Sequence, residues 1–302
     1  MKILVTGSSG LVGTALCKSL RADGHSVVRL TRSGSVSQPG QPAEAIRWEP
    51  PTGSLDLAAM EAADAVVHLA GASIAQGRWT PARKEILCSS RVDATRHLVA
   101  GLAKLKQKPR VLLSASAIGY YGDRGDEVLT ESSASGNDFL AQLCRDWEAA
   151  ATEAERLGIR AVLSRFGIIL DAHGGALPRM LVPLRLCVGG RLGSGKQWMS
   201  WIALEDVVRI LRYAMEDSAV RGPINAVSPS PVTNAEFTRA VAAALHRPAL
   251  FPTPRFALRL ALGEMANALL FSSERVSPQK LLALHYSFLH PDLHSALDSI
   301  LR

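Results

Sequence analysis

The chain has 302 residues and no apolar run long enough to cross a bilayer. Its most apolar late stretch, FALRLALGEMANALLF, is interrupted by Arg259 and Glu264 before reaching the roughly 18 residues that a spanning helix requires. Cysteine is scarce: Cys17, Cys88, Cys144 and Cys187 stand far apart with no CxxC or short Cys/His spacing, which excludes a zinc ribbon and a disulfide framework. Aromatic residues are only 5% of the chain and do not interleave with a basic run, so the net charge of +7 is not a nucleic-acid footprint. In MKILVTGSSG the segment from Thr6 to Ser9 ends the apolar run before a signal-peptide core can form. These absences lead to the expectation of a cytoplasmic globular protein with no membrane or nucleic-acid partner.

What remains is a sequence of alternating strands and helices. KILVT is a short β-branched run that ends at Gly7, and LVGTALCKSLRAD repeats apolar residues at helical spacing until Gly24. SVVRLT, DAVVHLAG, RVLLSAS and RAVLSRFGIIL read as further strands. A helix enters through Thr80 and Pro81, and another runs from Asp138 to Gly158. Thr233 and Glu236 form a capping box that starts a later helix. Strands alternating with helices predict an α/β fold, a Rossmann-type doubly wound parallel sheet. The expected division is a dinucleotide-binding domain over 1–245, with 171–202 contributing to a substrate pocket, and a small, mostly helical C-terminal region over 246–302.

In LVTGSSGLVG, Gly7, Gly10 and Gly13 lie between a strand and a helix, the context in which a glycine turn lets a pyrophosphate approach free helix N–H groups. A site for NAD usually ends the second strand with an acid that binds the ribose hydroxyl. Here that place reads RLTRSGS, with Thr31 and Arg32, a pairing that suits the 2′-phosphate of NADP (NADPH).

The stretches VTGSSGLVG, VVHLAGA, SRVDATRHL, LLSASAIGYYG, WMSWIALEDVV and GPINAVSP occur in the order seen in the extended short-chain dehydrogenase/reductase superfamily, of the epimerase/dehydratase type, which the chain resembles nearly throughout. More narrowly it resembles the subgroup called epimerase family proteins, whose small C-terminal domain has no assigned role. The resemblance implies that Gly7, Ser9, Gly10, Leu11 and Val12 neighbour the pyrophosphate. It places Leu69, Ala70, Gly71 and Ser114 at strand ends beside the cofactor, and Arg91 where many members have asparagine, either holding a phosphate or facing solvent.

That superfamily moves a proton with a serine and a YxxxK pair. The corresponding helix, FLAQLCRDWEAA, has no tyrosine, and no lysine occurs between Lys108 and Lys196. The tyrosine and lysine positions fall near Leu140 and Cys144. Ser116 takes the serine position, and Tyr120 or Tyr121 on the following loop is the candidate substitute, unless both merely pack. Two functions follow as expectations: an NADP-dependent oxidoreductase or epimerase-like enzyme for an unidentified small molecule, or an NADPH-binding regulatory module without turnover.

Overall fold

The computed structural model describes residues 1–32 and 45–301. Eight strands form one sheet: β1 (Lys2–Thr6), β2 (Ser26–Thr31), β3 (Ala45–Glu49), β4 (Ser54–Leu55), β5 (Ala65–His68), β6 (Val111–Ala117), β7 (Arg160–Phe166) and β8 (Gly222–Ala226). Their spatial order is β8-β7-β6-β5-β1-β2-β3-β4, and only the β3–β4 pair is antiparallel. The chain leaves β1 toward β2 and β3, then crosses to β5 on the opposite side of β1. This reversal opens a crevice at the carboxyl ends of β1 and β5, where open α/β sheets bind ligands.

The strands read as nearly continuous apolar runs because both faces are covered. Ile3, Val5, Val67, Leu113 and Val162 point to one side, under α1 (Leu11–Ala22) and the helix Leu204–Glu216. Leu4, Val28, Val66, Leu112 and Leu163 point to the other, under the helix Ala94–Ala103. The helical reading from Pro81 onward holds with one irregularity: Pro81–Cys88 and Ala94–Ala103 are α-helical, but Ser89–Asp93 between them is a π-helical turn. An inserted residue of this kind re-aims side chains, and Arg91 lies on it.

The segment after 246 is largely helical but builds no core of its own. Met265, Val276, Leu281 and the group Leu293, Ala296 and Leu297 enter four different apolar clusters, each shared with earlier parts of the chain. The short strand Arg275–Val276 also pairs with Val128–Leu129, which brings the tail beside the loop that follows β6.

Candidate active site

The turn after β1 has the shape the glycine spacing predicts. Gly7 takes φ +65°, and a Cβ there would lie 2.6 Å from the Leu69 carbonyl carbon and 2.8 Å from the Ala70 nitrogen. A Cβ on Gly13 would come within 2.2 Å of the Gly7 oxygen, so helix and turn touch backbone to backbone. Gly10 is the N-cap of α1, with no side chain among the described residues satisfying the first-turn N–H groups and no acid in that turn. Ser9 and Gly10 are exposed, and Leu11 and Val12 half-exposed. Uncapped donors at an open helix start, with no room for side chains around them, fit a diphosphate. Across this opening, the loop 171–176 approaches Leu11 so closely that a Cβ on Gly174 would sit 2.7 Å from its Cδ1.

The neighbouring strand ends are fixed by a buried polar chain. The Thr6 hydroxyl accepts the N–H groups of Leu69 and Ala70 at 3.1 and 3.2 Å, so its own proton goes to His68 Nδ1 at 2.7 Å. His68 Nε2–H then donates to Thr95 Oγ1 at 2.9 Å, which also accepts from Trp147 Nε1 and donates to the Arg91 carbonyl. Every position is used with a neutral imidazole, and burial holds the His68 pKa down to about 4. His68 is therefore a positioning residue that sets Leu69 and Ala70 against the cradle.

Arg91 reaches the cleft beside Gly71. Its Nη2 donates to the Ala72 carbonyl at 2.9 Å, its guanidinium lies 5.2 Å from the Trp147 ring, and a Cβ on Gly71 would be 3.2 Å from its Cζ. Desolvation lowers its pKa from the ordinary arginine value. Thr31 ends β2 half-buried, and Arg32 follows it exposed. Ser114 departs from expectation: it is 1% exposed in mid-strand, with its hydroxyl directed to the Ala115 carbonyl at 3.3 Å, so its side chain is not offered to the cleft.

Ser116, Arg165 and Asn225 are register partners across β6, β7 and β8, so their side chains share one face of the sheet. Arg165 forms a two-pronged pair with Glu148, both N–H···O distances being 2.8 Å, with side chains only 3% and 9% exposed. Ser116 donates to the same carboxylate at 2.6 Å. Arg165 also donates to the Tyr121 hydroxyl at 2.9 Å, and that hydroxyl donates to Asn225 Oδ1 at 2.7 Å. Tyr121 is thus corrected from proton carrier to structural residue. It is fully buried with both sides of its hydroxyl engaged, and burial raises its pKa to about 12. Tyr120 differs: it is half-buried, its ring lies 3.5 Å from the Arg165 guanidinium carbon, and its hydroxyl has no hydrogen bond among the described residues.

The two positions of the missing dyad have different surroundings. The helix Phe139–Thr152 carries Leu140 into the wall of a cavity of about 160 Å³, with Trp79, Asp123, Asp138, Arg255 and Ser272 among its other walls. Cys144, at the lysine position, is buried, and desolvation pushes its thiol up to about 12, so it cannot act as a thiolate near neutral pH.

Beside three of these walls stands a residue that the sequence did not flag. Glu274 is half-buried, and its carboxyl is raised to about 8, by burial foremost and then by Asp138 and Asp123, against a 3.4 Å hydrogen bond from Ser272. Its backbone is held by Trp198 and by the Ser200 hydroxyl. Only the folding of the tail onto the loop after β6 brings Glu274 here, some 130 residues from Cys144. The sole sequence signal is a glutamate in a short polar break, SSERV, between apolar segments.

The folded carboxyl keeps its proton up to a pH above the ordinary 4.5, so the native state binds more protons than the unfolded one between about pH 4.5 and 8. Stability from this residue is accordingly lost as pH rises through that window. Urea unfolding at several pH values is expected to show this slope in the wild type and a flatter one in Glu274→Gln.

The family model described as NAD dependent epimerase/dehydratase family matches residues 3–226, and one described as a domain of unknown function (DUF1731) matches 253–300. An epimerase family protein of Mycobacterium bovis is 42% identical over 295 residues, which cover 98% of this chain and 96% of that one. The epimerase family protein YfhF of Bacillus subtilis is 37% identical over 302 residues, covering 100% and 98%. The crystal structure of human epimerase family protein SDR39U1 (isoform 2) with NADPH matches at a TM-score of 0.88 and 34% identity, covering 99% of each chain.

Proposed function

The chain belongs to the NAD-dependent epimerase/dehydratase family, and from that premise we propose that it is an NADP(H)-dependent oxidoreductase or epimerase-like enzyme acting on a small molecule, with Glu274 in place of the missing tyrosine as proton carrier. The observation that carries this reading is a raised carboxyl beside a cavity whose wall includes Leu140, where the family tyrosine would stand. Gly7, Gly10 and the start of α1 would hold the diphosphate, Arg32 the 2′-phosphate, and Leu69 to Gly71 with Arg91 the nicotinamide side. The cofactor, when bound, supplies or accepts the hydride. Glu274 would hold the proton that neutralises the developing alkoxide, while Ser116, whose own hydrogen goes to Glu148, would offer a lone pair to a substrate hydroxyl. The solved structure of human epimerase family protein SDR39U1 with NADPH supports the choice of cofactor.

Two measurements test the assignment. Arg32→Ala is expected to weaken NADPH binding by about tenfold to a hundredfold, since a charge-assisted hydrogen bond contributes roughly 1.5–3 kcal/mol, and to leave NADH binding unchanged. Equal loss for both nucleotides would sink the 2′-phosphate reading. Turnover of NADPH against a carbonyl panel should decline as pH rises through about 8. Glu274→Gln should remove that limb and lower the rate by about 10² to 10⁴. If Tyr120→Phe causes the larger loss, Tyr120 is the carrier instead.

A second reading is favoured by one observation, the replacement of the dyad by Leu140 and inert Cys144. On that reading the protein binds NADPH as a sensor, and no substrate oxidises the bound nucleotide.

A further inference from the structure

The net positive charge is concentrated rather than spread. Residues 172–204 contain Arg179, Arg185, Arg191 and Lys196 and no acid, and residues 237–263 contain Arg239, Arg247, Arg255 and Arg259 and no acid. All eight cations are exposed, and none takes part in an ion pair among the described residues.

These two segments are neighbours in space. Thr253 donates to the Arg191 carbonyl and Gly193 to the Thr253 carbonyl, both at 2.9 Å, with a parallel bridge between Leu192 and Thr253. The same segments hold most of the large apolar side chains left in water: Val182, Leu186 and Val188 on one, Leu250, Phe251, Phe256 and Leu260 on the other. Phe256 and Leu260, 75% and 78% exposed, stand one turn apart on the helix Arg255–Leu262, which has no buried residue; Arg259 is exposed on the same helix, while the Arg255 guanidinium turns back over the Phe271 ring. Leu262 packs partly against the body, leaving the Phe256 row outward. A depression of about 230 Å³ opens in the same face, walled by Arg191, Arg239, Thr238, Leu250 and Pro252.

We propose that this face seats the protein on an anionic lipid surface, with Phe256, Leu260, Leu250 and Phe251 entering the headgroup–acyl boundary and the arginine rows facing lipid phosphates. A short helix with an apolar row flanked by cations is the chemistry of interfacial helices, and anionic lipid adds attraction for each basic residue within a Debye length. A bilayer satisfies both features at once. Its negative surface matches the exposed cations of two segments that contain no acid in sequence, and its interior accepts the protruding side chains of Phe256 and Leu260. The seat revises the expectation of no membrane partner without requiring a span, since no described helix is long and apolar enough to cross.

The test is co-sedimentation of the full chain with vesicles of phosphatidylcholine alone and of phosphatidylcholine with phosphatidylglycerol. At low salt the anionic vesicles should bind at least tenfold more protein, and the excess should vanish in high salt. The double variant Phe256→Ser, Leu260→Ser should lose at least tenfold of that binding, and Arg247→Gln with Arg259→Gln should weaken low-salt binding and make its salt dependence shallower. Circular dichroism and melting should be unchanged in both, because these side chains contact mainly solvent. Absence of binding to anionic vesicles, or binding that the Phe256→Ser, Leu260→Ser variant retains in full, overturns the proposal. So does a concentration-dependent dimer that this variant abolishes, because the apolar row would then belong to a second copy.

Discussion

Gly7→Ala should abolish measurable NADP(H) binding, weakening it by about 100-fold or more. The left-handed backbone at φ +65° costs an alanine roughly 1–2 kcal/mol. The larger effect is steric. A methyl group 2.6 Å from the Leu69 carbonyl carbon and 2.7 Å from its oxygen meets the Leu69–Ala70 peptide, and backbone cannot rotate away as a flexible side chain could. The turn must lift from the end of β5, carrying the first N–H groups of α1 out of line with a diphosphate. Losing one or two charge-assisted hydrogen bonds at roughly 1.5–3 kcal/mol each gives the predicted loss. Gly24→Ala is the control. It also has positive φ, +77°, but meets nothing within 4 Å, so it should lower stability slightly and leave nucleotide affinity unchanged. Titration calorimetry of the two variants decides between a local packing requirement and a general intolerance of substitution at left-handed glycines.

Arg165→Met should destabilise the fold by about 3–5 kcal/mol, because it strands the buried Glu148 carboxylate with only the Ser116 hydroxyl as a partner and removes the donor to Tyr121. The double variant Glu148→Leu, Arg165→Met should recover most of this stability, since an apolar pair of similar volume avoids the desolvation cost of both charges. Turnover should not recover with it. Ser116 would no longer have a carboxylate to fix its hydroxyl, and Tyr121 would keep only its bond to Asn225. Urea denaturation and a rate assay on the same three proteins separate the two roles. If both stability and rate return in the double variant, Ser116 needs no orientation by Glu148 and its assigned role fails.

These predictions rest on residues of unequal legibility. Gly7, Gly10 and Gly13 could be read directly, because a strand, a turn and a helix start are local events written within a dozen residues. Arg32 is proposed from the sequence on similar grounds, as the residue that follows a short apolar strand where an acid is usual, and its part in binding awaits the Arg32→Ala titration. The absence of the dyad was legible too: a lysine that does not occur in the chain between Lys108 and Lys196 cannot be supplied there by folding. Tyr121 was misread because a tyrosine on a loop is ambiguous until its hydroxyl partners are known, and those partners come from β7 and β8. Nothing in the sequence pairs Glu148 with Arg165: strand register sets Arg165 beside Ser116, and the packing of the helix Phe139–Thr152 brings Glu148 to both in the interior.

The amino-acid order alone determined the alternation of strand and helix and the glycine cradle, since hydrophobic period and turn chemistry act over a few neighbouring residues. Tertiary structure decided which polar groups are buried together, that Glu274 comes to stand beside the cavity, and that two acid-free segments form one basic, apolar face. Those outcomes depend on contacts between residues tens to hundreds of positions apart, and both the carboxyl's proton affinity and the exposure of Phe256 are properties of what surrounds a side chain rather than of the side chain itself.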